Sequence, residues 1–283
     1  MEKLPRPRTE PFSQHTVNSN EQEAIHVIWD KLTDFSPAQT DEALSFLFGK
    51  IAELTGANNM FWMAAVRILP TGVAKGDHGH GWRMRATELW RPDPLREQRM
   101  RLLQKSLDRL KSAVPIGTTT TTITAESGRF RAHRMRDGWV DFAAFRASEH
   151  YDIFYRKPGI GDRLWVVFPV NPDAESYFII DKIGSRSRFS AADAACAAYL
   201  LRGIKWFHRQ LMLSRGLLAA STPLTATERR VVHLLLTGQA EKEIAHSIGL
   251  TTGTTHNHVG QIYRKFGVRS RAELMALWLG LRG

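Results

Sequence analysis

The sequence predicts an α+β chain, an antiparallel-sheet domain followed by a small domain made only of helices. Two observations predict it. Strand-like runs at Met60–Leu69, Gly81–Trp90, Leu164–Pro169 and Tyr177–Ile183 lie between helical stretches, whereas everything after Pro223 follows the 3.6-residue period. A length of 283 residues also suits one ordinary domain and a smaller second one.

Residues 1–20 hold Pro5, Pro7 and Pro11 among polar residues and read as a mobile tail. A sheet domain is expected over 21–215. Ile25, Ile28, Trp29 and Leu32 share one helical face; Leu44, Leu47, Phe48, Ile51 and Leu54 share another, which Gly56 ends. The first strand leads to a turn at Pro70-Thr71-Gly72, the second to a charged helix near Leu95–Leu110. Ile116–Thr124 is threonine-rich, and its β-branched residues favour a strand or extended loop. Phe142–Phe154 is a helix or a lid, and the last two strands form a hairpin across Asn171-Pro172-Asp173. Ser190 then caps a helix expected to run unbroken from Ala191 to about Leu213, before a linker at 216–223.

From Leu224 to the end, 224–283, four short helices are expected. Thr225 and Glu228 form a capping box, and Val231, Val232, Leu234, Leu235 and Leu236 make a broad buried face that ends at Gly238. A second helix, about Ala240–Ser247, turns inward Ile244 and Ala245, and Gly249 allows a tight turn. Thr251 or Thr252 caps the third, where Thr255, Val259, Ile262 and Phe266 fall on one stripe. Its other face carries His256, Asn257, Gly260, Gln261 and Arg264, donors and acceptors suited to base edges and phosphates. Gly267 stops that helix, and Ser270 caps a fourth bearing Leu274, Leu277 and Trp278.

This segment resembles the LuxR-type helix-turn-helix domain. The resemblance rests on Leu224, Thr225 and Glu228; on Gly238, Lys242, Glu243, Ile244 and Ala245; and on Thr254, His258, Ile262, Lys265, Gly267, Val268, Ser270 and Arg271. Thr255-His256 stands where the family usually has Val-Lys, and Phe266 replaces its leucine. The resemblance implies that the third helix enters the major groove with His256, Asn257 and Gly260 nearest the bases. Lys242, Thr251, Thr254, Gln261, Arg264, Lys265 and Arg271 would attract phosphates. Leu274, Leu277 and Trp278 would form a dimer surface. The implied partners are double-stranded DNA, a second copy of the chain and RNA polymerase.

The stretch from Trp165 to Ala194 resembles the last strands and exit helix of a GAF-like or PAS-like sensor. Such a sensor would hold an unidentified small molecule rather than a cofactor. Trp62, Trp82, Trp90, Trp139, Phe142, Tyr151, Phe154, Tyr155 and Trp165 are candidate lining residues, although for any single one ordinary core packing is the commoner role. The acyl-homoserine-lactone receptors share the carboxyl-terminal pattern, but their W-x3-Y sensor signature is not reproduced, since Ala143 follows Trp139 by four. Asp77, His78 and His80 could bind a metal, although a glycine-flanked loop accounts for them, and no metal site is expected.

Lysine and arginine outnumber aspartate and glutamate 39 to 28, for a formal charge of +11, which favours polyanions without naming one. Cys196 is the only cysteine, excluding an internal disulfide or a thiolate zinc cluster, and its small-residue surroundings suggest a buried, inert thiol. Neither a signal peptide nor an 18-residue apolar run occurs, so a cytoplasmic protein is expected. A ligand-gated, dimeric DNA-binding regulator is the leading expectation. The alternatives are a phosphorylation-driven response regulator and an amino-terminal enzyme with a DNA-binding appendage. The second lacks G-x-S-x-G, P-loop, H-E-x-x-H and dinucleotide signatures, so no catalytic residue is expected.

Overall fold

Five antiparallel strands and a set of short helices make up the computed structural model, which describes residues 17–68, 77, 79–108, 117–184, 186–218 and 224–279. Most of the expected tail, the 70–72 turn, His78, the end of the 95–110 helix and most of the linker lie outside the described residues. The chain divides into two compact units, Met1–Val27 with Phe48–Gly203, and Ile28–Leu47 with Ile204–Gly283.

In chain order the elements begin with α1 (Ser19–Thr33), a single 3-10 turn at Pro37–Gln39, and α2 (Thr40–Thr55). Strands β1 (Asn59–Arg67) and β2 (Trp82–Leu89) precede α3 (Pro94–Asp108), α4 (Thr118–Ala125) and β3 (Arg131–Arg134). Two short helices, α5 (Phe142–Arg146) and α6 (Glu149–Tyr151), run into a π turn at Asp152–Arg156. The hairpin β4 (Ile160–Asn171) and β5 (Ala174–Ile183) follows, then α7 (Ala191–Gly203) and α8 (Lys205–Leu213). The sheet order is β2-β1-β5-β4-β3 with every pairing antiparallel, so the chain is α+β as its sequence predicts.

Side chains alternate across the sheet, and both faces are covered. One face carries Trp62, Leu164, Val166, Phe178 and Ile180, with Phe48 of α2 edge-on to Phe178 at 6.1 Å. Helix α7 closes this side with a row of buried alanines and Cys196, whose thiol burial pushes up to about 12, with Glu21 adding to the rise. The opposite face carries Phe61, Trp165, Val167, Tyr177 and Ile179, over which Phe145, Tyr151, Phe154 and Tyr155 pack.

Two segments depart from expectation. The threonine run forms α4, not an extended segment. Its hydroxyls bond back to carbonyls within the helix, as Thr124 Oγ1 does to Thr120 O at 2.9 Å, while Thr119, Ile123 and Thr124 are buried. Tertiary burial therefore overrides the β preference of the residue type. The helix expected from Ala191 to Leu213 breaks at Ile204, whose φ of −106° and ψ of 46° are not helical.

Two buried ion clusters cross the inner face. Arg131 grips Glu175 with both nitrogens at 2.8 Å, and Tyr177 donates to the same carboxylate at 2.7 Å. Burial and then the Glu175 charge raise the Tyr177 phenol well above its ordinary value, keeping it a donor. At the far side Asp181 accepts from Arg163 at 2.6 and 2.9 Å and from Arg96 at 2.9 Å. Removing one member of such a pair strands a buried charge. Glu175→Gln is expected to lower stability by about 3–5 kcal/mol, read as a lower denaturant midpoint.

Candidate nucleic-acid interface and ligand cavity

Four helices complete the second unit: α9 (Ala226–Leu236), α10 (Glu241–Ile248), α11 (Thr252–Phe266) and α12 (Arg271–Trp278). Each start is fixed locally. Thr225 Oγ1 accepts the Glu228 amide at 3.2 Å, and the Glu228 carboxylate accepts the Thr225 amide at 2.7 Å, completing the capping box. Thr251 caps α11 and Ser270 caps α12 through their hydroxyls. Gly249 (φ 73°) and Gly267 (φ 63°) end α10 and α11 in the left-handed region, where glycine is favoured. Val231, Val232, Leu235, Ile244, Val259, Ile262, Phe266 and Leu274 form the core beneath.

Helix α11 is two-faced in the way its spacing predicts. Thr255, Val259, Ile262 and Phe266 are buried, whereas His256, Asn257, Gln261 and Arg264 are exposed and Gly260 is half-buried beside them. Lys242, Thr251 and Thr254 are exposed on the same motif, and the two threonine hydroxyls are 2.8 Å apart. His256 Nδ1 lies 3.0 Å from Glu241, which ties the start of α11 to α10.

Three expected surface residues are held by the domain itself. Lys265 Nζ donates to Glu228 at 2.7 Å, so it clasps α11 to the capping box. Arg271 donates to the carbonyls of Leu235 (2.6 Å) and Gln239 (2.8 Å), which closes the carboxyl end of α9. Leu274 is fully buried in the core and is not a free partner face. Leu277 and Trp278 are half-buried against the same core, with Trp278 edge-on to Phe266 at 6.1 Å. Sequence spacing missed the apolar residues that α12 does expose, Met275 and Leu279.

A cavity of about 90 Å³ opens above the inner face of the sheet. Trp82, Phe154, Tyr155 and Trp165 line it, together with Phe61, Ile179 and Arg163 of the sheet and Thr119, Ile123 and Thr124 of α4. Trp62 is corrected to the other face, where its indole donates to Ser176 at 2.8 Å; strand alternation forbids it the cavity once Phe61 lines it. Trp139 stacks on His133 at 4.4 Å and meets Trp165 edge-on, away from the lining. Phe142 and Tyr151 pack behind Tyr155, and Trp90 also lies off the lining. The α4 contribution was hidden because a threonine repeat gives no helical period to read.

Gly117, which precedes α4, has His150 where a side chain would begin: an added Cβ would lie 2.4 Å from the imidazole ring. Asp77 accepts the amides of Gly79 and Gly81 and the guanidinium of Arg83. Burial pushes that carboxyl up, but these donors outweigh it and hold it below its ordinary value. The Asp77 loop is thus a turn closed by an arginine, and among the described residues no three potential metal ligands cluster.

Burial likewise pushes Glu228 up, yet Lys265 and the Thr225 amide and hydroxyl hold it below the ordinary carboxylate range. Its stabilisation is therefore fully present above the unfolded value, about 4.3, and is lost as pH falls through the folded one. Glu228→Gln should cost about 1–3 kcal/mol at neutral pH and flatten the acid limb of thermal stability. An acid limb identical to that of the parent chain would refute this role.

Residues 222–278 match the family model described as bacterial regulatory proteins, luxR family. An HTH-type transcriptional regulator from the exeN 3′ region of Aeromonas salmonicida is 28% identical over 158 residues, 46% of this chain and 79% of that protein. The transcriptional regulatory protein UhpA of Escherichia coli is 44% identical over 52 residues, 18% of this chain and only 26% of the relative. Among solved structures, SdiA in complex with octanoyl-rac-glycerol shares 10% identity, covering 95% of this chain and 98% of that one at a TM-score of 0.46. The VqsR LBD domain from Pseudomonas aeruginosa shares 12%, covering 69% and 98% at 0.42. Both relatives carry names that describe regulators of transcription. Residues 222–278 thus form a helix-turn-helix domain of the luxR family.

Proposed function

We propose that the chain is a cytoplasmic, dimeric regulator whose DNA binding responds to a small molecule held by a GAF-like amino-terminal sensor. The observation that carries the DNA-reading part is the polar, exposed face of α11 opposite a fully buried stripe. Asn257 offers an amide that pairs bidentately with adenine in the major groove, beside His256 and Gly260. Arg264, Gln261, Lys242, Thr251 and Thr254 position the helix on phosphates. Lys265 and Arg271 act behind them, holding α11 and α9 in place through Glu228 and the α9 carbonyls. Among the described residues no helix is long and apolar enough to cross a membrane, which supports the cytoplasmic assignment.

The dimer reading moves outward from the residues first expected. Ala272, Met275 and Leu279 are exposed on α12 at spacings of three and four, the apolar stripe a second copy would cover. Leu277 and Trp278 border it. Two copies of α11 would then meet successive major grooves about one helical turn apart.

The sensor reading rests on the lined cavity, whose wall mixes aromatic and aliphatic side chains with two buried arginines, Arg83 and Arg163. Fluorescence anisotropy with a promoter fragment, with and without a small-molecule extract of the host, tests it. An extract that never alters affinity would sink ligand control.

Asn257→Ala is expected to weaken cognate binding by about 1–3 kcal/mol and relax base preference at one position. Arg264→Ala should instead weaken all sequences alike and reduce the salt slope by about one. Equal loss of preference in both variants would contradict these roles. Met275→Glu with Leu279→Glu should yield a monomer by sedimentation at unchanged melting temperature, whereas a persistent dimer would place the interface elsewhere.

A further inference from the structure

The inner face of the sheet is ordered in cross-strand rows. Asn59, Asp181 and Arg163 form one; Phe61, Ile179, Trp165 and His133 the next; Met63, Tyr177, Val167 and Arg131 the third; Ala65 and Glu175 the fourth. Successive rows are about 7 Å apart, two residues along a strand. An apolar, aromatic floor therefore lies between two ionic ends, and the cavity opens above it.

The two ends differ in charge. At the Glu175 end one carboxylate meets one guanidinium, Arg131, in a bidentate pair. At the Asp181 end one carboxylate serves two guanidiniums, Arg163 and Arg96. Asp181 and both arginines are buried, and Arg96 Nη1 is buried with no hydrogen-bond partner among the described residues. The acid nearest otherwise, Asp93, is exposed and caps α3 through the Leu95 amide. Burial lowers the Arg96 guanidinium; Asp181 and, from the surface, Asp93 oppose the shift, and Arg163 adds to it. Within the buried cluster itself two guanidiniums thus face one carboxylate, an arrangement that is costly until an anion completes it.

Arg163 is the member of the cluster that lines the cavity, within 4.6 Å of the Tyr155 ring and 5.8 Å of the Trp165 ring. We propose that the cavity takes a small monocarboxylic acid, its carboxylate at Arg163 and its apolar body over Phe61, Ile179 and Trp165. The proposal rests on the sensor reading above and deepens it. A guanidinium attracts a carboxylate by charge, and since Nε and Nη2 of Arg163 already serve Asp181, the guest meets the guanidinium outside that edge. One unmatched guanidinium suits a monoanion better than a phosphate monoester, and the apolar row begins one residue pair from the arginine, leaving space for a compact head only. Arg96 acts as a positioning residue: it supplies the second guanidinium at Asp181 without lining the cavity.

Calorimetric titration of the full chain with hexanoate and 3-phenylpropanoate, each against its own amide, tests the proposal. Each acid is expected to bind at least tenfold tighter than its amide. Arg96→Gln, which leaves Arg163 and Asp181 as a balanced pair, should abolish that preference while amide affinity and melting temperature hold. Equal affinity of acid and amide for the parent chain would overturn the proposal, as would a preference surviving in Arg96→Gln. Amides binding without preference would leave the cavity a ligand site and sink only the charge argument. Failure of all four compounds to bind at millimolar concentration would remove the small-acid site itself.

Discussion

Strand β5 runs between β1 and β4 with both faces covered, so every polar side chain on it must find its partner inside the protein. Glu175, Ser176, Tyr177 and Asp181 all meet that requirement, and their partners fix the surroundings. Ser176 holds the Trp62 indole on one side of the sheet; Glu175 and Asp181 collect arginines from β3, β4 and α3 on the other. The same demands that make this strand intolerant of change give the cavity its polar ends.

The carboxyl-terminal domain solves a different problem. It is too small to bury much, and it gains definition from helix ends. Thr225, Thr251 and Ser270 cap three of its helices, Gly249 and Gly267 end two, and Arg271 closes α9 from outside its own helix. Lys265 then joins α11 to the first cap through Glu228. The outward face of α11 is therefore held still by groups that need never touch a ligand, and cationic side chains of similar look divide between scaffold and surface.

That division marks the limit of what the residues disclosed unaided. Periodicity and caps gave the four carboxyl-terminal helices and the buried stripe of α11, because those depend on neighbours three or four apart. The same logic failed where long-range contacts decide. Lys265 and Arg271 look like free cations until Glu228 and the α9 carbonyls are brought to them. Leu274 and Met275 look alike until the core takes one and leaves the other. In the sheet domain the aromatic residues were visible, but which face each occupied depended on strand register. The threonine run pointed to extended structure, the opposite of what forms, since its helicity follows from what it covers.

Gly117 shows how narrowly the cavity is drawn. The His150 ring occupies the volume that any larger residue at 117 would claim, and that ring itself lines the wall. A single added methyl would have to drive the imidazole elsewhere, reshaping the space left for a guest while both arginine–carboxylate clusters stayed untouched. The dimensions of the cavity and the charges beside it are thereby set by separate parts of the chain, so descendants of this sequence could retune one without retuning the other.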